Sequence, residues 1–200
     1  MKLHTTLCLL ALPVALFSLA AARPEDKAPA AAGGSYVIDN VHTAVIFKCK
    51  HLGTSWSFGR FDAVSGSFTL DAAKPENNMV DVTIATNSVN TNDAKRDGHL
   101  KSPDFFDVKQ FPSATFKSKS VKKKGEHNYI VSGDLSFHGV TQSVSIDMEH
   151  TGSSDTKMAG KRAGFFGTLV ISRDAFGIKY MPEGLGDDVT LTLSVEGAAQ

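Results

Sequence analysis

The sequence predicts an all-β domain: an antiparallel sandwich or barrel of about eight strands, interrupted by one short helical excursion. Three observations carry this. Apolar and polar residues alternate with period two along most of the chain. Turn-forming residues separate the alternating runs. One stretch, 92–109, drops the alternation.

The first 22 residues form a leader. Met1-Lys2 gives a positive start, and Leu7 to Ala22 is apolar apart from Pro13 and Ser18. Ala20-Ala21-Ala22 then supplies the small residues of a cleavage site, before Arg23-Pro24-Glu25-Asp26. This is the pattern of a cleaved signal peptide. The apolar run is shorter than the roughly 20 residues a spanning helix needs. No stable membrane insertion is therefore expected. Cys8 lies near the start of that run, with most of it still to follow, which does not fit a lipoprotein signal. Residues 23–35 are rich in Ala, Pro and Gly and read as a flexible tether. The domain spans 36–197.

Within it, Val80, Val82 and Ile84 alternate with Asp81 and Thr83. Tyr129, Val131, Leu135 and Phe137 share one parity, and Ser132, Asp134 and Ser136 take the other. Val144, Ile146 and Met148 alternate with polar residues, as do Val189, Leu191, Leu193 and Val195. Such strands have one wet and one dry face and belong to antiparallel sheets. Turns are expected at Gly53, 74–78, 124–126, Gly139 and 152–155. In the excursion, Asn92 is expected to cap a short helix over 93–97. Ser102-Pro103-Asp104 reads as a second helix start, with Leu100, Phe105 and Phe106 on the apolar side.

Composition narrows the chemistry. The chain carries 21 Lys+Arg and 21 Asp+Glu, so net charge gives it no reason to seek nucleic acid. Lys117, Lys119, Lys122, Lys123 and Lys124 lack interleaved aromatics and read as a solvated hairpin that blunts an edge strand. Without its leader the chain keeps one cysteine, Cys49, so no internal disulfide forms. Cys49 shares the inward parity of Val45 and Phe47, as a small hydrophobe rather than a reactive thiolate. No G-x-S-x-G, G-x-G-x-x-G, phosphate loop, H-E-x-x-H or C-x-x-C occurs. No catalytic residue, metal site or cofactor is expected. The remaining signal is aromatic: 13 Phe against three Tyr and one Trp. An eight-stranded closed sheet is either just filled by side chains or able to hold one slim ligand. Composition does not choose between the two.

An ordered set of short motifs then resembles a known family. It comprises Tyr36-Val37-Ile38-Asp39, His42 to Phe47, His51-Leu52-Gly53 and Gly59-Arg60-Phe61. It continues with Arg96-Asp97-Gly98-His99-Leu100, Ser102 to Asp107, Phe111-Pro112, Gly133-Asp134-Leu135, His138 to Thr141 and Arg173 to Ile178. The set is similar to the YceI-like, polyisoprenoid-binding proteins, in order, from Tyr36 to about Glu196. Thr43 stands where that family often has Ser, and Cys49 where it usually has a β-branched aliphatic. The resemblance implies a lipocalin-like barrel, a periplasmic location, a long-chain amphiphilic lipid inside, and a homodimer as a recurrent assembly. It carries over no catalytic residue.

The hydrophobic walls expected from inward parity are Val45, Phe47, Cys49, Phe116, Phe137, Phe165 and Leu169, with Phe105 and Phe106 as a plug or gate. A polar head is expected near His42, Arg96, Asp97, His99 and Arg173. For the walls the competing reading is core packing. For the polar set it is a salt-bridge and capping network that fastens the excursion. At the level of function, the alternatives to a lipid carrier are a lipid-acting enzyme and a filled-barrel stress module that binds protein.

Overall fold

A computed structural model describes residues 33–200. The expected signal peptide, 1–22, and most of the expected tether lie outside the described residues. Eleven strands form one antiparallel sheet closed on itself. In chain order they are β1 (Gly34–Ile38), β2 (Ala44–His51), β3 (Ser55–Phe61), β4 (Val64–Leu70), β5 (Val80–Ala85) and β6 (Val89–Asn90). After helix α1 (Ala94–Leu100) come β7 (Ser113–Lys123), β8 (Asn128–Phe137), β9 (Val140–Thr156), β10 (Gly160–Ser172) and β11 (Leu185–Ala199). The ladder thus starts at Gly34, so Gly34 and Ser35, at the end of the stretch read as tether, pair with Leu70 and Thr69.

The eleven strands make eight lanes, because three lanes are broken. β1 pairs with β4 and β2 with β3 in nearly continuous register, so β1–β2 is one kinked lane and β3–β4 another. β5–β6 is the third, interrupted by a 3-10 turn at Thr86–Ser88. Polar side chains replace ladder bonds at the kinks. Asn40 accepts the Val64 amide at 2.6 Å and donates to the Asp62 carbonyl. Ser88 accepts the Ala63 amide at 3.0 Å. Backbone groups that the broken ladder would orphan are thereby satisfied. β11 closes the ring by pairing with β2 and then with β1. The structure is the expected eight-stranded antiparallel barrel with one short helix.

The register defines two ends. His51 pairs with Leu185 at the end called here the mouth, and Tyr36 pairs with Ala199 at the base. His138 and Gly139, both at positive φ, make the tight β8–β9 turn at the mouth. The excursion, 91–112, and the β10–β11 loop, 173–184, also lie at the mouth end.

Three local expectations are corrected. Asp93, not Asn92, caps α1, accepting the Arg96 amide at 2.8 Å. Asn92 sits at φ 61 just before it. Ser102-Pro103-Asp104 opens a run of turns rather than a second helix, anchored by Phe105 N to Ser102 O at 3.1 Å. β7 is no edge strand, because it lies between β5 and β8. Two of its lysines are paired across the sheet instead, Lys117 with Asp81 and Lys119 with Asp134, and Lys124 just beyond it is paired with Asp147.

Candidate functional site

The base half of the barrel is close to filled. Tyr36 stacks on Phe68 with ring centroids 5.1 Å apart, and Phe165 meets Phe68 edge-on at 5.4 Å. Tyr129 and His150 pack on the other sides of Phe165. Gly197 makes this possible, since a Cβ there would fall 2.5 Å from the Phe68 ring. His150, only 4% exposed, is held by Ser153 at 2.9 Å, and burial pushes its pKa down. Above this floor remains an apolar cavity of about 130 Å³. Phe116, Phe165 and Leu169 line it, as expected, together with Val80, Val82 and Ile84.

The mouth half is hollow, with a cavity of about 410 Å³. Val45, Ile84, Leu135 and Leu191 line both cavities, so the two spaces adjoin along the barrel axis. The β2 row that points inward supplies Val45, Phe47 and Cys49. Gly59 on β3 lets the Phe47 ring lie flat across its neighbour, where any Cβ would collide with that ring. From there the rings of Phe47, Phe61, Phe106, Phe137 and Phe176 follow one another at 5.5–5.9 Å. Of these, Phe47, Phe61 and Phe137 line walls rather than span the lumen, and Phe176 packs behind them. Phe105 and Phe106, only 8% and 9% exposed, roof the cavity from the excursion.

Among the described residues, arginine and histidine side chains line only this cavity, while Thr69 and Asn78 are at the edge of the lower one. Arg173 is buried, yet no carboxylate lies within ion-pair distance of it among the described residues. Its guanidinium donates to the carbonyls of Gly186, Ile178, Tyr180 and Leu185 at 2.8–3.1 Å. Four backbone partners satisfy its donors, and a nearby counter-charge, Asp187, acts on it electrostatically without an ion-pair contact. Arg96 lines the same cavity and donates to the hydroxyl and carbonyl of Thr91, both at 2.8 Å. His99 also lines it, edge-on to Phe105 and Tyr180 and bonded to Asp104 at 2.9 Å. The Cys49 thiol donates to the Gly186 carbonyl at 3.2 Å. Burial raises its pKa, against the pull of nearby Arg173.

Two residues of the expected polar set line neither cavity. Asp97 accepts the Thr91 amide and hydroxyl, and so fastens α1 to the end of β6. His42 sits outside the barrel with Asp39, Arg162 and Glu196. Asp39 bonds to it, holding the imidazole pKa up. Asp39, His42 and Glu196 are close enough to share a cation. However, the Arg162 guanidinium already lies between the two carboxylates.

Other mouth residues gave no periodic signal. Thr91, Ile178, Tyr180 and Met181 line the cavity from irregular segments. Ser57 and Phe58 come from β3, whose alternation is hidden by polar residues on both faces.

Residues 36–197 match the YceI-like domain family. This chain belongs to that family. A UPF0312 protein of Pseudomonas aeruginosa is 42% identical over 99% of the YceI-like chain and all of its own length. One from Shewanella baltica is 41% identical over 84% of this chain and 89% of its own. Among solved structures, the Campylobacter jejuni YceI protein superposes with TM-score 0.66 at 32% identity, covering 76% of this chain and 90% of its own. Burkholderia cenocepacia BcnA gives 0.71 at 24%, covering 80% and 98%. A polyisoprenoid binding domain from Saccharophagus degradans gives 0.64 at 17%, covering 82% and 98%. The last two share the fold.

Proposed function

We propose that this protein binds a long-chain amphiphilic lipid of polyisoprenoid type, with the tail along the barrel axis and the head at the mouth. One observation carries the reading. An apolar space begins near the aromatic floor and widens into a 410 Å³ chamber whose arginines and histidines, His51, Arg96, His99 and Arg173, all belong to the mouth half. Pockets of roughly 300–1,000 Å³ with apolar walls and few polar groups are ordinary ligand sites. Burial is worth about 0.8 kcal/mol per CH₂, so ten tail carbons give a gross gain of about 8 kcal/mol. The S. degradans domain of the same fold, described as polyisoprenoid binding, supports the choice of tail. Val45, Phe47, Cys49, Phe105, Phe106, Phe116, Phe137, Phe165 and Leu169 are the proposed walls. Arg96, His99 and Arg173 are the proposed head contacts.

Binding rather than turnover is favoured by the thiol. A nucleophile needs a base beside it, but the Cys49 sulfur bonds to the carbonyls of Lys50 and Gly186 and its pKa is raised. The charged start, apolar run and small-residue site read in residues 1–22 support export, and a periplasmic location is part of this proposal.

The test is mass spectrometry of protein purified without detergent, intact and after organic extraction. A stoichiometric isoprenoid adduct is expected. Single Phe47→Asp and Phe137→Asp variants, checked for folding by circular dichroism, should lose it. Protein that carries no lipid and takes up no added polyprenyl lipid would overturn the reading.

A further inference from the structure

The mouth is apolar outside as well as inside. Leu52, Trp56, Phe58, Tyr180 and Met181 are between 40% and 57% exposed. Single exposed apolar residues are normal, but a contiguous group marks an interaction surface. These five come from two elements joined at the rim, where the Leu52 amide donates to the Gly184 carbonyl at 2.7 Å. Phe58, Tyr180 and Met181 also line the mouth cavity. The apolar surface therefore runs unbroken from the cavity wall onto the outside of the barrel.

The charge beside it is basic and uncommitted. Lys48 and Lys50 flank Trp56, their ammonium groups 4.8 and 4.9 Å from its ring centroid. Neither has a carboxylate within ion-pair distance among the described residues. The base-end hairpin differs: Lys119 and Lys124 there are bonded to Asp134 and Asp147, and its remaining lysines, Lys122 and Lys123, flank no aromatic ring among the described residues. Nearby Arg60 is already bonded to Asp62. Aromatic side chains that sit at a water–lipid boundary, next to lysines that reach for headgroups, are the composition of a membrane-seated surface.

We propose that this rim docks the barrel, mouth first, on an anionic bilayer. Leu52, Trp56 and Phe58 enter the headgroup layer, and Lys48 and Lys50 contact lipid phosphates. The proposal rests on the lipid-binding reading for its purpose: a lipid could then pass between bilayer and cavity without crossing water. A second copy of the chain fits the patch less well. A two-fold interface would bring the unpaired lysines of both copies onto the same small area.

Trp56 is the only tryptophan in the sequence, so its emission reports on the rim directly. Purified protein is titrated with phosphatidylglycerol vesicles and, separately, phosphatidylcholine vesicles. Emission should shift to the blue and protein should co-sediment with phosphatidylglycerol, much less so with phosphatidylcholine and less as salt rises. Lys48→Glu combined with Lys50→Glu should cut partitioning at least about tenfold. Leu52→Asp, on a turn that lines neither cavity, should weaken it without altering the circular dichroism spectrum. No shift with phosphatidylglycerol overturns the proposal. So does a shift that appears without vesicles and grows with protein concentration, the mark of a self-associating rim. Uptake of polyprenyl lipid from a soluble carrier is measured in parallel. Uptake without vesicle binding sinks docking alone, and vesicle binding without uptake sinks the lipid-binding reading alone.

Discussion

The base and the mouth of this barrel are built from the same eight lanes and the same inward rows, yet one end is nearly filled and the other is hollow. At the base, the Tyr36, Phe68 and Phe165 rings cross the lumen and touch one another. At the mouth, rings of the same kind lie along the walls, because Gly59 makes room for Phe47 and the excursion holds Phe105 and Phe106 above the opening. Phenylalanine content therefore does not decide whether a small barrel is filled. The direction each ring takes does, and the glycines opposite the rings set that direction.

The sharpest way to break this comparison is to delete one ring from each end. Phe165→Ala should cost about 3–5 kcal/mol, because it opens a void between Phe68, Tyr129 and His150. Phe47→Ala already borders empty space and should cost about half as much or less. Urea-unfolding midpoints of the two variants check this, and equal losses would erase the distinction between the ends.

A second pair concerns the glycines. Gly197→Ala pushes a methyl group into Phe68 and into the Tyr36 Cβ, which the β1 backbone holds in place, and should cost about 1–3 kcal/mol. Gly59→Ala displaces the Phe47 ring, which can swing into the mouth cavity. We expect a smaller loss of stability there and a clear loss of polyprenyl lipid uptake, read by the mass of the loaded protein. A third experiment sharpens the mouth alone. Cys49 lines that cavity with a raised pKa, so alkylation at neutral pH should be slow and slower still, by several-fold, in lipid-loaded protein. The rate of thiol modification measures it. An identical rate in both states would place the lipid away from β2.

The smallest expected effect is in pH dependence. Burial lowers the pKa of His150 at the base. The unfolded chain then takes up its proton first, so stability should fall as pH drops through the unfolded value of about 6.5 and level off below the folded value. His42, on the outer surface, has a raised pKa from its bond to Asp39. Its contribution has the opposite sign: full below about pH 6.5 and lost as pH rises through its folded value. His150→Gln should flatten the acid side of the profile of unfolding midpoints, and His42→Gln only the alkaline side. A His150→Gln profile unchanged below pH 6.5 would mean the imidazole is not desolvated.

The sequence showed strands wherever one face stays wet. The rows at 80–84, 129–137 and 189–195 lie in strands as read, with inward residues such as Val82, Val131 and Leu191 on the cavity walls. Alternation failed where the register slips. In β9 the buried positions move from Met148 and His150 to Ser153, because a bulge opposite Gly164 and Phe165 inserts a residue. β7 changes from Phe116 to Val121 at the irregularity between Ser118 and Ser120. Half-exposed β3 carried little periodic signal. In the site, parity found the walls from Val45 to Leu169, because a wall residue obeys the strand that carries it. The polar groups at the mouth were less legible. Asp97 and Arg96 are neighbours in sequence, yet one is turned into a fastening for Thr91 and the other also faces the chamber. Nothing local distinguishes them. Tyr180 and Met181 were missed because irregular loops place side chains by tertiary contacts alone.

The seam where the barrel closes has a consequence for orientation. Tyr36 lies opposite Ala199, and the Gln200 amide donates to the Ser35 carbonyl at 3.1 Å, so both ends of the domain are stitched together at one pole. The opening is at the other pole. Whatever is joined upstream of Gly33 or downstream of Gln200 pulls on the sealed end, like a leash fixed to the back of a cup, and leaves the brim free to turn toward whatever it serves.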